Sequence, residues 1–232
     1  MENNNTERNS EEISFVSKSE QFIEKNQKTI IAVIAAILLI VLAIFGIKKF
    51  ISEPRQQKAN EAIFAAEQFL AQGDYNSALY GDSTTNDQYS IGLIRVIDKY
   101  GSTKAGKRAK YEAGICYLHL GQYQDAIKYL NSYKGKDQLT PVFNEMMKGD
   151  AEIEQGNTDA AIKHYTKAAK MDDNDITAPF AYFKAGVAYL SKGDNANAIN
   201  CFQNVKDNYP SSSLYSEMDG FIAFAQESLE NK

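Results

Sequence analysis

The sequence predicts an all-α chain: an N-terminal transmembrane helix, then an α-solenoid of about four helix hairpins closed by a C-terminal capping helix. Three observations carry this. An uncharged apolar run near the N-terminus is long enough to cross a bilayer. A glycine followed five residues later by alanine and an aliphatic residue recurs four times. An apolar stripe at helical spacing ends the chain.

The apolar run comes first. Thr29–Ile47, nineteen residues without a charge, lie between Lys28 and the pair Lys48 and Lys49. At 1.5 Å per residue they span about 28 Å, close to the hydrocarbon thickness of a membrane. A cleaved signal peptide is a poor match, because the run is too long, the preceding tail is acidic, and no small-x-small site follows Gly46. A buried core helix fits no better, since Ile30 to Phe45 has no polar face to turn to water. We therefore divide the chain into a polar tail (1–28), a transmembrane helix (29–50), a linker (51–55) and a repeat domain (56–232). The tail, rich in Asn, Ser and Glu, is expected to be disordered apart from a weak amphipathic turn around Ile13, Phe15, Val16, Phe22 and Ile23. Lys18, Lys25 and Lys28 on one flank nearly balance Lys48, Lys49, Arg55 and Lys58 on the other, so charge alone leaves the orientation open.

Beyond Pro54 the sequence repeats. Gly73, Gly121, Gly156 and Gly193 precede Ala78-Leu79, Ala126-Ile127, Ala161-Ile162 and Ala198-Ile199 at one offset. Seven residues before these glycines stand Ala66, Gly114, Gly149 and Gly186, and three residues after those come Phe69, Tyr117, Glu152 and Tyr189. A glycine just past a helix takes the left-handed conformation that ends it, and a short turn then launches the partner helix. The small residues let paired helices approach closely, and aromatics such as Tyr165 and Phe202 are expected to fill the gaps between hairpins. The glycines are 48, 35 and 37 residues apart. The expected hairpins are 56–103, 104–140, 141–176 and 177–213, with a cap over 214–232 marked by Leu214, Met218, Phe221, Ala225 and Leu229. The first unit carries an insertion, read as a polar loop from Gly81 to Asp87 before helix resumes at Tyr89.

With Gly186-x-x-Tyr189, Gly193, Ala198, Phe202 and Pro210 in consensus order, the stretch from Gln56 to Ser212 resembles the tetratricopeptide repeat family, whose period is about 34 residues. It departs from that family in lacking the early Trp and in the long first unit. The resemblance implies a concave groove lined by the first helix of each hairpin and used to bind protein segments. In this register the groove residues are Tyr111, Ile115, Leu118, His119, Phe143, Met146, Asp150, Ile153, Phe180, Phe183, Val187 and Leu190. They are mostly apolar, which suits an extended or amphipathic segment. Relatives that clamp a C-terminal carboxylate use Lys and Asn at these positions, so a chaperone-tail clamp is not expected. Neighbouring helices or the cap are the alternative occupants of this face.

Other chemistry finds little support. A charge of −5 and a pI near 5.2 argue against nucleic acid, which needs an excess of Lys and Arg. Cys116 and Cys201 read as small apolar helix residues rather than a disulfide framework. Gly101 to Arg108 imitates a phosphate-binding loop, but Arg108 stands where the magnesium-binding hydroxyl belongs and a helix precedes it. His119 and His164 lack partners at ligand spacing, and Asp172 to Asp175 lacks the glycine and terminal Glu of a calcium loop. No catalytic, cofactor or metal residues are assigned, and enzyme activity is not expected.

The order of tail, single anchor and repeat domain resembles, in architecture only, the ancillary translocon-subunit family of bacterial inner membranes. That resemblance implies a cytoplasmic N-terminus, a periplasmic repeat domain, and an adaptor that binds clients or chaperones near the secretion channel. The alternatives are a self-associating scaffold of an envelope complex and a cytoplasm-facing receptor.

Overall fold

The computed structural model describes residues 3–82, 91–135 and 137–230. They fall into two units that divide after Pro54. In the first, helix α1 spans Asn3–Ile47. The expected disordered tail over 1–28 is thereby corrected: from Asn3 the backbone is helical. Extending an existing helix costs far less than nucleating one, and Glu, Gln, Lys and Arg are good helix formers. Large apolar side chains on every side of α1 are exposed, Leu39 at 67 % and Leu42 at 65 % among them. By length and composition this is a helix able to cross a membrane. A π-helical turn follows at Lys48–Ser52, in which the Glu53 N–H reaches back to the Lys48 carbonyl. The widened turn directly precedes Pro54, which has no N–H to give and crowds the preceding turn.

The second unit is a helical solenoid. Its helices are α2 (Glu53–Ala71), α3 (Tyr75–Tyr80), α4 (Leu93–Tyr100), α5 (Lys104–His119), α6 (Tyr123–Ser132), α7 (Thr140–Glu154), α8 (Thr158–Met171), α9 (Ala178–Ser191), α10 (Asn195–Asn208) and α11 (Met218–Glu230). Helices α5/α6, α7/α8 and α9/α10 pair as hairpins, and each hairpin packs on the next. The four turn glycines have φ between 72° and 77°. At each turn the residue after the glycine donates its N–H to the carbonyl five back, as Asp194 does to Tyr189 at 2.9 Å, while the glycine donates three back, as Gly193 does to Leu190. This double bond satisfies the last carbonyls of the helix and is open only to a residue at ease with positive φ.

The small residues of the first helices make holes for one large side chain of the second. A Cβ on Gly114 would lie 2.6 Å from Leu130, on Gly149 2.4 Å from Tyr165, and on Gly186 2.4 Å from Phe202. Tyr165 and Phe202, expected between hairpins, thus fill the seam within their own. In the first hairpin the same register, sixteen residues on from Ala66, falls on Asp82, where the chain has left the helix. Asp82 thus stands where the later hairpins carry a large apolar side chain, and α2 carries alanine where they carry glycine.

The second helix of the first hairpin is split into α3 and α4. Most of the expected polar loop, 83–87, lies outside the described residues, as does the expected restart at Tyr89; the helix resumes at Leu93. The ends of the excursion are stapled by an antiparallel bridge between Gly81 and Ile91. Beside it, a Cβ on Gly92 would come within 2.2 Å of the Leu79 carbonyl oxygen. Leu79, Leu93 and Val96 are fully buried on either side.

Gly106 has a similar structural role, because a Cβ there would meet the Tyr100 carbonyl oxygen at 2.0 Å. The phosphate-loop look of Gly101 to Arg108 is therefore a tight helix-to-helix connection, with Thr103 capping α5 through the Gly106 N–H. The turn recurs at the far end: Thr103 N–H to Tyr100 and Ser212 N–H to Tyr209 are equivalent bonds. The last helix, α11, covers α10 with Met218, Phe221, Ile222 and Ala225, whereas Leu229 is exposed.

Candidate protein-binding groove

The first helices α5, α7 and α9 present one face each to a shared cavity of about 680 Å³. Its apolar wall is Leu118 from α5, Ile153 from α7, and Phe183, Val187 and Ala188 from α9. These arise from the helical period: 150, 153 and 154 share one side of α7, and 183, 184, 187 and 191 share one side of α9. The polar groups at the cavity are largely paired with one another. Asp150 Oδ1 accepts from the Tyr165 hydroxyl at 2.6 Å and from Lys184 Nζ at 2.8 Å. Glu154 accepts from the Tyr123 hydroxyl at 3.1 Å, and the His119 ring stacks on Tyr75 at 4.4 Å. Burial and the bond to Asp150 hold the Tyr165 phenol well above its ordinary value, so it stays a neutral donor.

Of the residues expected to line the groove, Leu118, His119, Asp150, Ile153, Phe183 and Val187 meet here. Tyr111 lines a separate cavity nearer the helix N-termini. Ile115 is half-buried outside both, and Phe143 and Phe180 are exposed along the helices beyond the cavity. Two expectations are corrected. Met146 is only 4 % exposed and belongs to the core with Val142 and Ile162. Leu190 packs with the cap cluster around Phe202 and Met218. Phe183 is shared between the two settings, lining the cavity with one edge while Phe221 of α11 meets it edge-on at 5.0 Å. Tyr123, Glu154, Tyr165, Lys184, Ala188 and Ser191 were not read from the sequence. Lys184 and Glu154 were findable, each standing four residues beyond an expected groove residue, Phe180 and Asp150; Tyr165 and Tyr123 reach in from second helices.

The arrangement offers a ligand apolar area rather than reactive groups. Cys116 and Cys201 are buried, and burial above all pushes their thiols up to about 12 and about 11, far from thiolate character at neutral pH. Among the described residues no three His, Cys, Asp or Glu come together in a way that could hold a metal ion.

The tetratricopeptide-repeat profile matches residues 93–139 and 146–213. These two stretches match tetratricopeptide repeats. Ninety-two residues, 38 % of the chain, are 29 % identical to a TPR repeat-containing protein of Methanocaldococcus jannaschii, and they span 15 % of that relative's length. Two crystal structures of MamA are similar at 19 % identity: one with a TM-score of 0.49 over 74 % of this chain and 88 % of MamA, the other with 0.45 over 72 % and 95 %. In tetratricopeptide terms, α5, α7 and α9 are first helices and α6, α8 and α10 second helices, so the cavity lies on the first-helix face of three consecutive repeats.

Proposed function

We propose that this chain is a membrane-anchored adaptor that holds a segment of another protein in the first-helix groove of its repeats. The observation that carries this reading is the open cavity across α5, α7 and α9, apolar in its wall and with its polar groups already paired. A partner must then supply apolar side chains, whose burial contributes roughly 25 cal/mol per Å², and little else. Residues 29–50 serve as the anchor, supported by the length and lack of charge of Thr29–Ile47 and by exposure on all sides. The repeat domain faces the periplasm, the N-terminus lies in the cytoplasm, and the segment bound belongs to a client or chaperone near a secretion channel. The architectural resemblance to ancillary translocon subunits supports this last step.

Two measurements test the reading. Protease added to intact spheroplasts cleaves a periplasmic repeat domain and spares a cytoplasmic one; a protected domain removes the orientation and the secretion role. A photo-crosslinking residue in place of Val187 captures secretory clients, and Ile153→Asp abolishes the capture. Val187 is the better probe than Phe183, because Phe183 also holds the cap. Unchanged crosslinks in Ile153→Asp remove the groove.

A further inference from the structure

A second cavity, of about 830 Å³, opens where the N-terminal ends of α2 and α5 meet the segment between α6 and α7. Its cations are Lys104, Lys107 and Arg108 on α5 and Lys134 after α6. Arg108 is engaged by Glu67 and Glu112; among the described residues, Lys104, Lys107 and Lys134 form no ion pair. The acids do not cancel them. Asp137, ionised and held by the Tyr133 hydroxyl and the Thr140 N–H, offsets only one of them. Glu112, 8 % exposed, stands in the lining with Oε2 lacking any hydrogen-bond partner. Burial and the neighbouring Glu67 push its carboxyl up to about 7 against the pull of Arg108, which weakens its negative charge at neutral pH. In a chain of net charge −5 this bay is a local excess of positive charge.

The bay does not stand alone. The positions of Lys104 and Arg108 recur 35 residues later as Leu139 and Phe143, and 37 residues after that as Ile176 and Phe180. These four are exposed at 41 %, 37 %, 62 % and 42 %. One register along successive first helices thus runs from cations to exposed aliphatic and aromatic side chains. We propose that the bay and this ridge dock an extended partner segment that is acidic at one end and carries apolar side chains at the other. Carboxylates of the segment meet the free ammonium groups, and its apolar residues cover the ridge. A flat anionic lipid surface fits less well, because Lys104, Lys107 and Lys134 line a cavity rather than a flat face. The proposal is independent of the Val187 cavity.

The test uses the full chain in non-ionic detergent micelles and a fluorescent peptide of alternating Glu and Phe, blocked at both ends so that no terminal carboxylate contributes. The peptide binds at low salt, weakens as salt rises, and binds about tenfold or more tighter than its Lys/Phe counterpart. The charge-reversed variant Lys104→Glu/Lys134→Glu lowers its affinity about tenfold or more, and Phe143→Ser/Phe180→Ser lowers it too, with helicity unchanged in both. Val187→Asp leaves it unaltered. Absence of binding, equal binding of the Lys/Phe peptide, retained affinity in the charge-reversed variant, or loss in Val187→Asp overturns the proposal. Displacement by phosphatidylglycerol bicelles would assign the surface to lipid and overturn it as well.

Discussion

The first and last hairpins of the solenoid solve the same packing problem in opposite ways. In the last, Gly186 opens a hole on α9, Phe202 of α10 fills it completely, and Phe221 of the cap closes over both at 5.2 Å from Phe202. In the first, the equivalent register carries no large side chain, α2 keeps Ala66, and the seam is filled by Ile63, Leu79, Leu93 and Val96 around a stapled excursion. A repeat therefore tolerates a long insertion when the knob-and-hole pair is given up at that point and the chain ends are tied together beside it.

The largest effect that would break this comparison is loss of the knob. Phe202→Ala costs about 3–5 kcal/mol, because a fully buried ring leaves a cavity that α9 and α11 cannot both collapse into. Denaturant unfolding followed by circular dichroism measures it, and a cost near that of an exposed aromatic would contradict the seam. Filling the hole is the milder test. Gly186→Ala forces a methyl onto the Phe202 ring and costs about 1–3 kcal/mol, whereas Ala66→Gly costs only the helical penalty of about 0.5–1 kcal/mol. Gly92→Ala belongs with the former, since the added carbon meets backbone rather than a movable side chain. It costs about 1–3 kcal/mol and speeds hydrogen exchange in α3 and α4 ahead of α9 and α10.

Charge separates the early from the middle repeats as well. Glu112, between Glu67 and Arg108, binds its proton more tightly in the folded chain than its ordinary value of 4.5 allows, at about 7. Its contribution is fully present below about pH 4.5 and is lost as pH rises through about 7. Glu145 on α7 is the reverse. Burial alone would raise its carboxyl, but hydrogen bonds from His164, Lys148 and Lys167 outweigh burial and hold it well below the usual range. That contribution is present above the unfolded value and is lost as pH falls toward the folded one. Glu112→Gln should therefore flatten the loss of stability between about pH 5 and about pH 8, by on the order of 2 kcal/mol. Glu145→Gln should leave that alkaline loss in place while lowering stability at neutral pH. A wild-type profile that is flat over this window would show that burial beside Glu67 does not hold the proton on Glu112.

What the sequence made legible follows from local chemistry. The four turn glycines were readable because only a residue at ease with positive φ ends a helix in that way. The apolar helix was readable because no water-facing side was encoded. The groove was readable only in part. A helical period names the face on which Met146, Phe183 and Leu190 stand, but how far a neighbour covers that face depends on where the next helices cross. Met146 is closed off in a core that joins its own hairpin to the next, and α11 reaches Phe183 and Leu190. The cationic bay was invisible for a related reason. Lys104 and Lys107 on α5 and Lys134 after α6 are far apart in sequence, and only the fold gathers them, with Gln56 and Asn60 of α2, around one cavity.

The smallest effects sharpen the comparison by marking where the first and last hairpins agree. Asp74 and Asp194 each accept the N–H three residues on, from Ser77 and Asn197, so the helices α3 and α10 begin with a side-chain cap. Gln122 and Asn157, at the same place before α6 and α8, make no such bond. The cap matters most where a helix has few other supports, and α3 is only six residues long. Asp194→Ala should cost about 1 kcal/mol, and Asp74→Ala should lower the unfolding midpoint in the same direction. Asn157→Ala should change the midpoint least of the three. If all three variants shift it equally, the cap bonds add nothing to the turn glycines, and the likeness between the two ends of the solenoid would be one of backbone geometry alone.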